Sequence, residues 1–118
     1  AQLFSPRARH TAWRDLWIAL ARAEHELGFP VTREQIAELE QHRTEFDWDR
    51  VAKYEKELRH DVMAHVHHWG DLCPKARPII HLGATSCFVT DNGDLLQYRR
   101  ALRLLERRLA GVLHALGE

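Results

Sequence analysis

The chain has 118 residues, 17 basic and 17 acidic side chains, nine histidines, four tryptophans and two cysteines. That length suits one domain that buries roughly two thirds of its unfolded surface, and a content of 45% hydrophobic residues excludes wholesale disorder. Zero net charge excludes the broad basic face of a nucleic-acid module, and the longest apolar run, Trp17 to Ala21, is far short of the roughly 20 residues of a membrane span.

The first helical pattern runs through Trp13, Leu16, Trp17, Leu20, Ala23 and Leu27, with Gly28 as its stop and Pro30 beyond. Thr32 with Gln35 three residues on reads as a capping box, and Ile36 and Leu39 give the second helix a short apolar stripe. Asp47 is the expected N-cap of a third helix running toward Leu58. A fourth is expected from about Asp61 to Leu72, closed off by Pro74 and Pro78. Ile79-Ile80-His81-Leu82 is apolar and irregular, and Gly83 breaks it. The last helix is expected to begin between Thr85 and Asn92 and to continue to the end. Its Leu102, Leu105, Leu109, Val112, Leu113 and Leu116 approximate a seam that calls for a partner helix, and the opposite face carries five arginines and Glu106. No strand pattern is present, so the expected class is all-α, in one helical domain over residues 1–118. Ala1 is not an initiator methionine and the last six residues still read as helix, so a piece of a longer chain is expected.

Cys73 and Cys87 form no CxxC pair, and a secreted disulfide scaffold of this size would use more cysteines. The expectation is two reduced thiols in a cytoplasmic protein, with no secretory leader.

Three stretches carry possible chemistry. His60, His65, His67 and His68 crowd into nine residues, which raises the alternative of a His-rich metal-binding module, but no HExxH pattern or matched cysteine or carboxylate supports it. No metal is therefore expected. Arg59-His60-Asp61 sits at the start of the fourth helix, where free N–H groups favour anions. Arginine adds a fork of donors, histidine can move a proton, and Asp61 can cap the helix or orient a neighbour. His81-Leu82-Gly83-Ala84-Thr85-Ser86 places two hydroxyls at a helix start behind a glycine turn, a further fit to a carboxylate or phosphate. Each stretch also has a plain reading, as a capped helix junction or a buried, hydrogen-bonded histidine.

Together these blocks carry a resemblance. Arg59-His60-Asp61-Val62-Met63-Ala64-His65-Val66-His67, Pro74-Lys75-Ala76, Ile79 to Val89 and Asp91-Asn92 resemble the adenylosuccinate lyase family of the fumarase/aspartase superfamily. Trp13-Arg14, Trp17 and the stretch from Leu27 to Ile36 extend the similarity upstream, so essentially the whole chain is covered.

The resemblance implies the N-terminal helical domain of that lyase fold, ending in a truncated helix of the central bundle. It implies a homotetrameric parent enzyme without cofactor, acting by β-elimination of fumarate from adenylosuccinate and from a succinyl-carboxamide ribotide. On it, Arg59, His60, Asp61, Thr85 and Ser86 match substrate-binding positions, and His81 is expected to orient the Thr85-Ser86 turn from behind. The family's acid–base histidine and serine, and an Arg-Tyr element that grips phosphate, match nothing in these 118 residues. The chain is thus expected to carry substrate-binding residues but to be catalytically silent alone.

Overall fold

The computed structural model describes residues 2–118, and among them every regular element is helical. A short 3-10 turn, Gln2–Phe4, precedes α1 (Pro6–Glu26). There follow α2 (Arg33–Gln41), α3 (Trp48–Leu58), α4 (Asp61–Leu72), a second 3-10 turn (Arg77–Ile79) and α5 (Ser86–Gly117). The all-α expectation holds, and α4 has the expected bounds.

Local chemistry sets these limits. α1 begins well before Trp13, because Ser5 caps it by accepting the Ala8 N–H and Pro6 fills a first-turn position that needs no N–H. After α1 the chain turns at Gly28, whose φ of +88° would strain a residue with a side chain. Thr32 and Gln35 form the reciprocal capping box, and Asp47 accepts the Arg50 N–H. The apolar run at 79–82 is irregular, as expected, and buries Ile79 and Ile80 while Leu82 faces outward.

The core gathers where α1, α2 and α4 meet. Trp13, Trp17 and Trp69 are all at most 2% exposed, and Leu39, Val62, Cys73 and Val89 close around them. α5 lies along α1. Their approach is close at Gly93, where a Cβ would stand 2.9 Å from Cδ1 of the buried Trp13, so only glycine fits without moving the indole.

Arg14 lies inside this core, 1% exposed, on a helix whose pattern would place an arginine at the surface. One of its terminal nitrogens donates to the carbonyls of His42, Arg43 and Glu45, in the turn that follows α2. Its guanidinium lies 3.8 Å from the Phe46 ring centre and 5.1 Å from that of Trp69. Burial lowers its pKa to about 9, which keeps it charged at neutral pH.

The second half of α5 stands clear. Leu102, Leu105, Leu109, Val112, Leu113 and Leu116 are all more than half exposed, so the expected seam is present and nothing among the described residues covers it.

Replacing Arg14 by Met keeps the apolar bulk and takes the donor from the Arg43 and Glu45 carbonyls, while that of His42 keeps the Trp69 indole N–H. We expect Arg14→Met to cost on the order of 3 kcal/mol, read as a lowered urea midpoint at neutral pH.

Candidate functional site

The candidate site residues lie at two helix starts that the fold brings together. Arg59 ends α3 in the left-handed conformation (φ 52°, ψ 39°), its N–H donating to the Glu55 carbonyl at 2.8 Å. This one residue reverses the chain into α4. Arg59 and His81 are the two non-glycine residues with positive φ among those described, and they flank the site from two directions.

His60, and not Asp61, is the N-cap of α4. Its Nδ1 accepts the Met63 N–H at 3.2 Å. Asp61 is already the first residue of the helix, and its Oδ1 accepts the neighbouring Val62 N–H at 2.8 Å. The acceptor role of Nδ1 places the ring proton of a neutral His60 on Nε2. That nitrogen lies 3.2 Å from Ser86 Oγ, so Nε2–H donates to the hydroxyl oxygen. Ser86 then keeps its own O–H free to donate elsewhere.

Thr85 precedes α5 with extended backbone but makes no side-chain cap bond. Its hydroxyl is exposed, and the first-turn N–H groups of α5 lack the usual side-chain acceptor. The His60–Ser86 bond therefore ties two helix N-termini together: that of α4 is capped by His60 and Asp61, and that of α5 carries the Thr85 and Ser86 hydroxyls without a side-chain cap. Such a place stabilises an anion.

His81 lies at the start of the turn that leads to Thr85 and Ser86. Its Nδ1 accepts the Trp17 indole N–H at 2.9 Å, and the side chain touching Ser86 is that of His60. Only the His81 carbonyl enters the turn, accepting the Ala84 N–H at 3.2 Å. Burial, and then the charge of nearby His60, push the His81 pKa down, so the ring is neutral and anchors the turn to α1. Trp17 is thus a supporting residue that its place in an apolar stripe did not reveal. The Arg59 side chain is exposed and makes no hydrogen bond to Thr85 or Ser86 among the described residues.

The other histidines of α4 are spread over different surroundings. His65 stacks on His10 with ring centres 3.9 Å apart and meets Trp13 edge-on. The Nε2 of His68 accepts the Asp47 N–H at 3.0 Å, and His67 lies beside Tyr54. Among the described residues no group of three or more His, Cys, Asp or Glu side chains is placed to hold a metal ion. Cys73 and Cys87 are free, and burial raises the Cys73 pKa to about 12, so it is an unreactive thiol at neutral pH.

Asp61 also borders a cavity of about 290 Å³ between α1, α3 and α4, walled in part by Arg9, His10, Glu55 and His65. Burial, followed by the Arg9 charge, lowers the His10 pKa to about 4. Burial, followed by His10, lowers that of His65 to about 3.

These two rings make stability depend on pH. They titrate in the folded chain below the 6.5 of an exposed histidine, so on acidification the unfolded chain takes up protons first. Their contribution is full above about pH 6.5 and is lost as pH falls toward 4 and then 3. We expect the urea midpoint to fall steadily from pH 6.5 to 4, and less steeply in His65→Gln.

No family model matches the chain. It is 47% identical to an adenylosuccinate lyase of Caenorhabditis briggsae and 48% identical to one of Saccharomyces cerevisiae, each over 98% of its residues. A protein of the same name from Synechocystis is 34% identical over 88% of the chain. The chain spans about a quarter of the length of these curated relatives (24% of each).

Proposed function

The chain belongs to the adenylosuccinate lyase family, and from that premise we propose that it is the N-terminal, substrate-holding segment of such a lyase. The parent reaction is the β-elimination of fumarate from adenylosuccinate, leaving AMP, and from the corresponding succinyl-carboxamide ribotide. A base removes a proton from the succinyl carbon next to a carboxylate, the C–N bond breaks, and an acid protonates the departing nitrogen. The reading extends to a cytoplasmic homotetramer of purine nucleotide biosynthesis that uses no cofactor. The uncovered apolar row of α5 suits assembly into a larger helical bundle.

The observation that carries the reading is the His60–Ser86 bond. It fixes two helix N-termini around one spot, and the leaving fumarate and its carbanion-like precursor are both anionic there. Ser86 and Thr85 offer O–H donors, α5 offers backbone N–H groups, and Arg59, one residue before His60, offers an exposed guanidinium. Donors fixed before reaction stabilise developing charge without reorganising. Asp61 holds the first turn of α4, and His81 holds the turn before Thr85 through Trp17.

None of these residues is assigned as the acid or the base. The two nitrogens of His60 are occupied by the Met63 N–H and Ser86, so the ring positions the hydroxyl. The proton-transferring pair is assigned to other parts of the lyase, and the chain alone is expected to be inactive.

The test replaces the matching segment of the Saccharomyces cerevisiae relative with this chain. The chimera should consume adenylosuccinate, whereas the 118-residue chain should show no turnover. Ser86→Ala in the chimera should lower kcat/KM about 10- to 100-fold, equal to about 1.4–2.7 kcal/mol of lost transition-state stabilisation. Turnover by the chain alone, or an unchanged Ser86→Ala chimera, would overturn the assignment.

A further inference from the structure

A second cluster of donors lies far from the site just described. Where the 3-10 turn Gln2–Phe4 and the first turns of α1 rest against the middle of α5, a cleft of about 620 Å³ opens. Its walls are Gln2, Ser5, Arg7, Ala8, Thr11 and Arg100. Every polar wall residue carries a hydrogen-bond donor, and none carries a carboxylate.

The two guanidiniums come from opposite ends of the sequence and neither is neutralised. Among the described residues neither joins an ion pair. Their helix neighbours supply no acid: three and four positions from Arg100 lie Leu96, Gln97, Arg103 and Leu104, and after Arg7 lie His10 and Thr11. The first turn of α1 holds no acidic residue either, although a helix N-terminus favours one. The Thr11 hydroxyl has no hydrogen-bond partner among the described residues, so it too is free to donate into the cleft.

The cleft is also built before any ligand arrives. The buried Gln97 donates from Nε2 to the Leu3 carbonyl at 3.2 Å, pinning the N-terminal turn to α5. Ser5 Oγ donates to the Gln2 carbonyl at 2.9 Å. Arg7 is steered by a 2.9 Å bond to the Thr44 carbonyl and by its place 5.5 Å from the Phe46 ring centre, which leaves its other N–H groups available.

We propose that this cleft binds a phosphorylated small molecule. Arg7, Arg100 and Thr11 take the phosphoryl oxygens, and Ala8 with the arginine stems contacts the body of the ligand. The volume fits this reading, since it is well above what a bare phosphate fills. Arg100 lies fourteen residues along α5 from Ser86, roughly 21 Å, so this proposal does not rest on the assigned lyase chemistry.

The test is calorimetric titration of the 118-residue chain at fixed ionic strength with phenyl phosphate, inorganic phosphate and phenol. Phenyl phosphate should bind saturably at one site and more tightly than inorganic phosphate, and phenol should not bind. Arg100→Gln and Arg7→Gln should each weaken phenyl phosphate at least about tenfold. Arg108→Gln, which removes the same charge from the same helix outside the cleft, should change it less than about twofold. Arg100 is exposed, so its variant keeps the test valid if Arg7→Gln perturbs folding. The proposal is overturned by absence of saturable binding, by equal affinity for the two phosphates, or by Arg108→Gln weakening binding as much as Arg100→Gln.

Discussion

The molecule is organised around a positive charge held in its interior. Arg14 could not remain there as a bare ion, because the desolvation cost would exceed what a small core supplies. It stays because the turn after α2 aims three carbonyls at it, and because Phe46 and Trp69 offer ring faces to a flat cation. Each party meets part of the other's need: the carbonyls after α2 gain a donor, and one nitrogen of the guanidinium gains acceptors while its Nε and second terminal nitrogen stay without a hydrogen-bond partner among the described residues. This pairing fixes where α1, the end of α2 and α4 lie. The indole N–H of Trp69 donates to the same His42 carbonyl that Arg14 engages, which carries the constraint directly onto α4.

From α4 the constraint passes to the site. His60 begins that helix and reaches Ser86 at the start of α5, while Trp17 of α1 holds the turn in between through His81. The site is thus a junction of three helices and not a feature of one loop. Its two left-handed residues, Arg59 and His81, lie where the chain enters and where it approaches that junction. Their backbone strain is tolerable because caps and side-chain bonds on both sides determine the conformation.

The helices were readable in the sequence because their limits depend on neighbours within four residues. Thr32 with Gln35, Asp47, and Gly28 followed by Pro30 each act locally, and each does so in the structure. What escaped depends on partners far along the chain. Arg14 in a helical pattern reads as a surface residue until carbonyls 28 to 31 positions away are seen to surround it. His60 took the capping role that a carboxylate fills more often, since imidazole Nδ1 at this backbone geometry reaches the Met63 N–H. The partner of His81 is 64 positions upstream, and periodicity gives a face but not the residue opposite it. The crowded histidines of α4 divide among separate surroundings because a helix distributes adjacent residues around its axis.

The contact between Gly93 and Trp13 gives α5 the character of a lever. The far arm, from Gly93 to Leu116, extends roughly 35 Å, and the near arm, from Gly93 back to Ser86, roughly 10 Å. Pivoting at that contact, a tilt of about 10° would carry the tip about 6 Å and Ser86 about 2 Å, on the same helical rise. The smaller displacement is already enough to part Ser86 from His60, whose separation is 3.2 Å. Whatever steadies the distant leucines therefore also steadies a hydroxyl at the opposite end of the same rod.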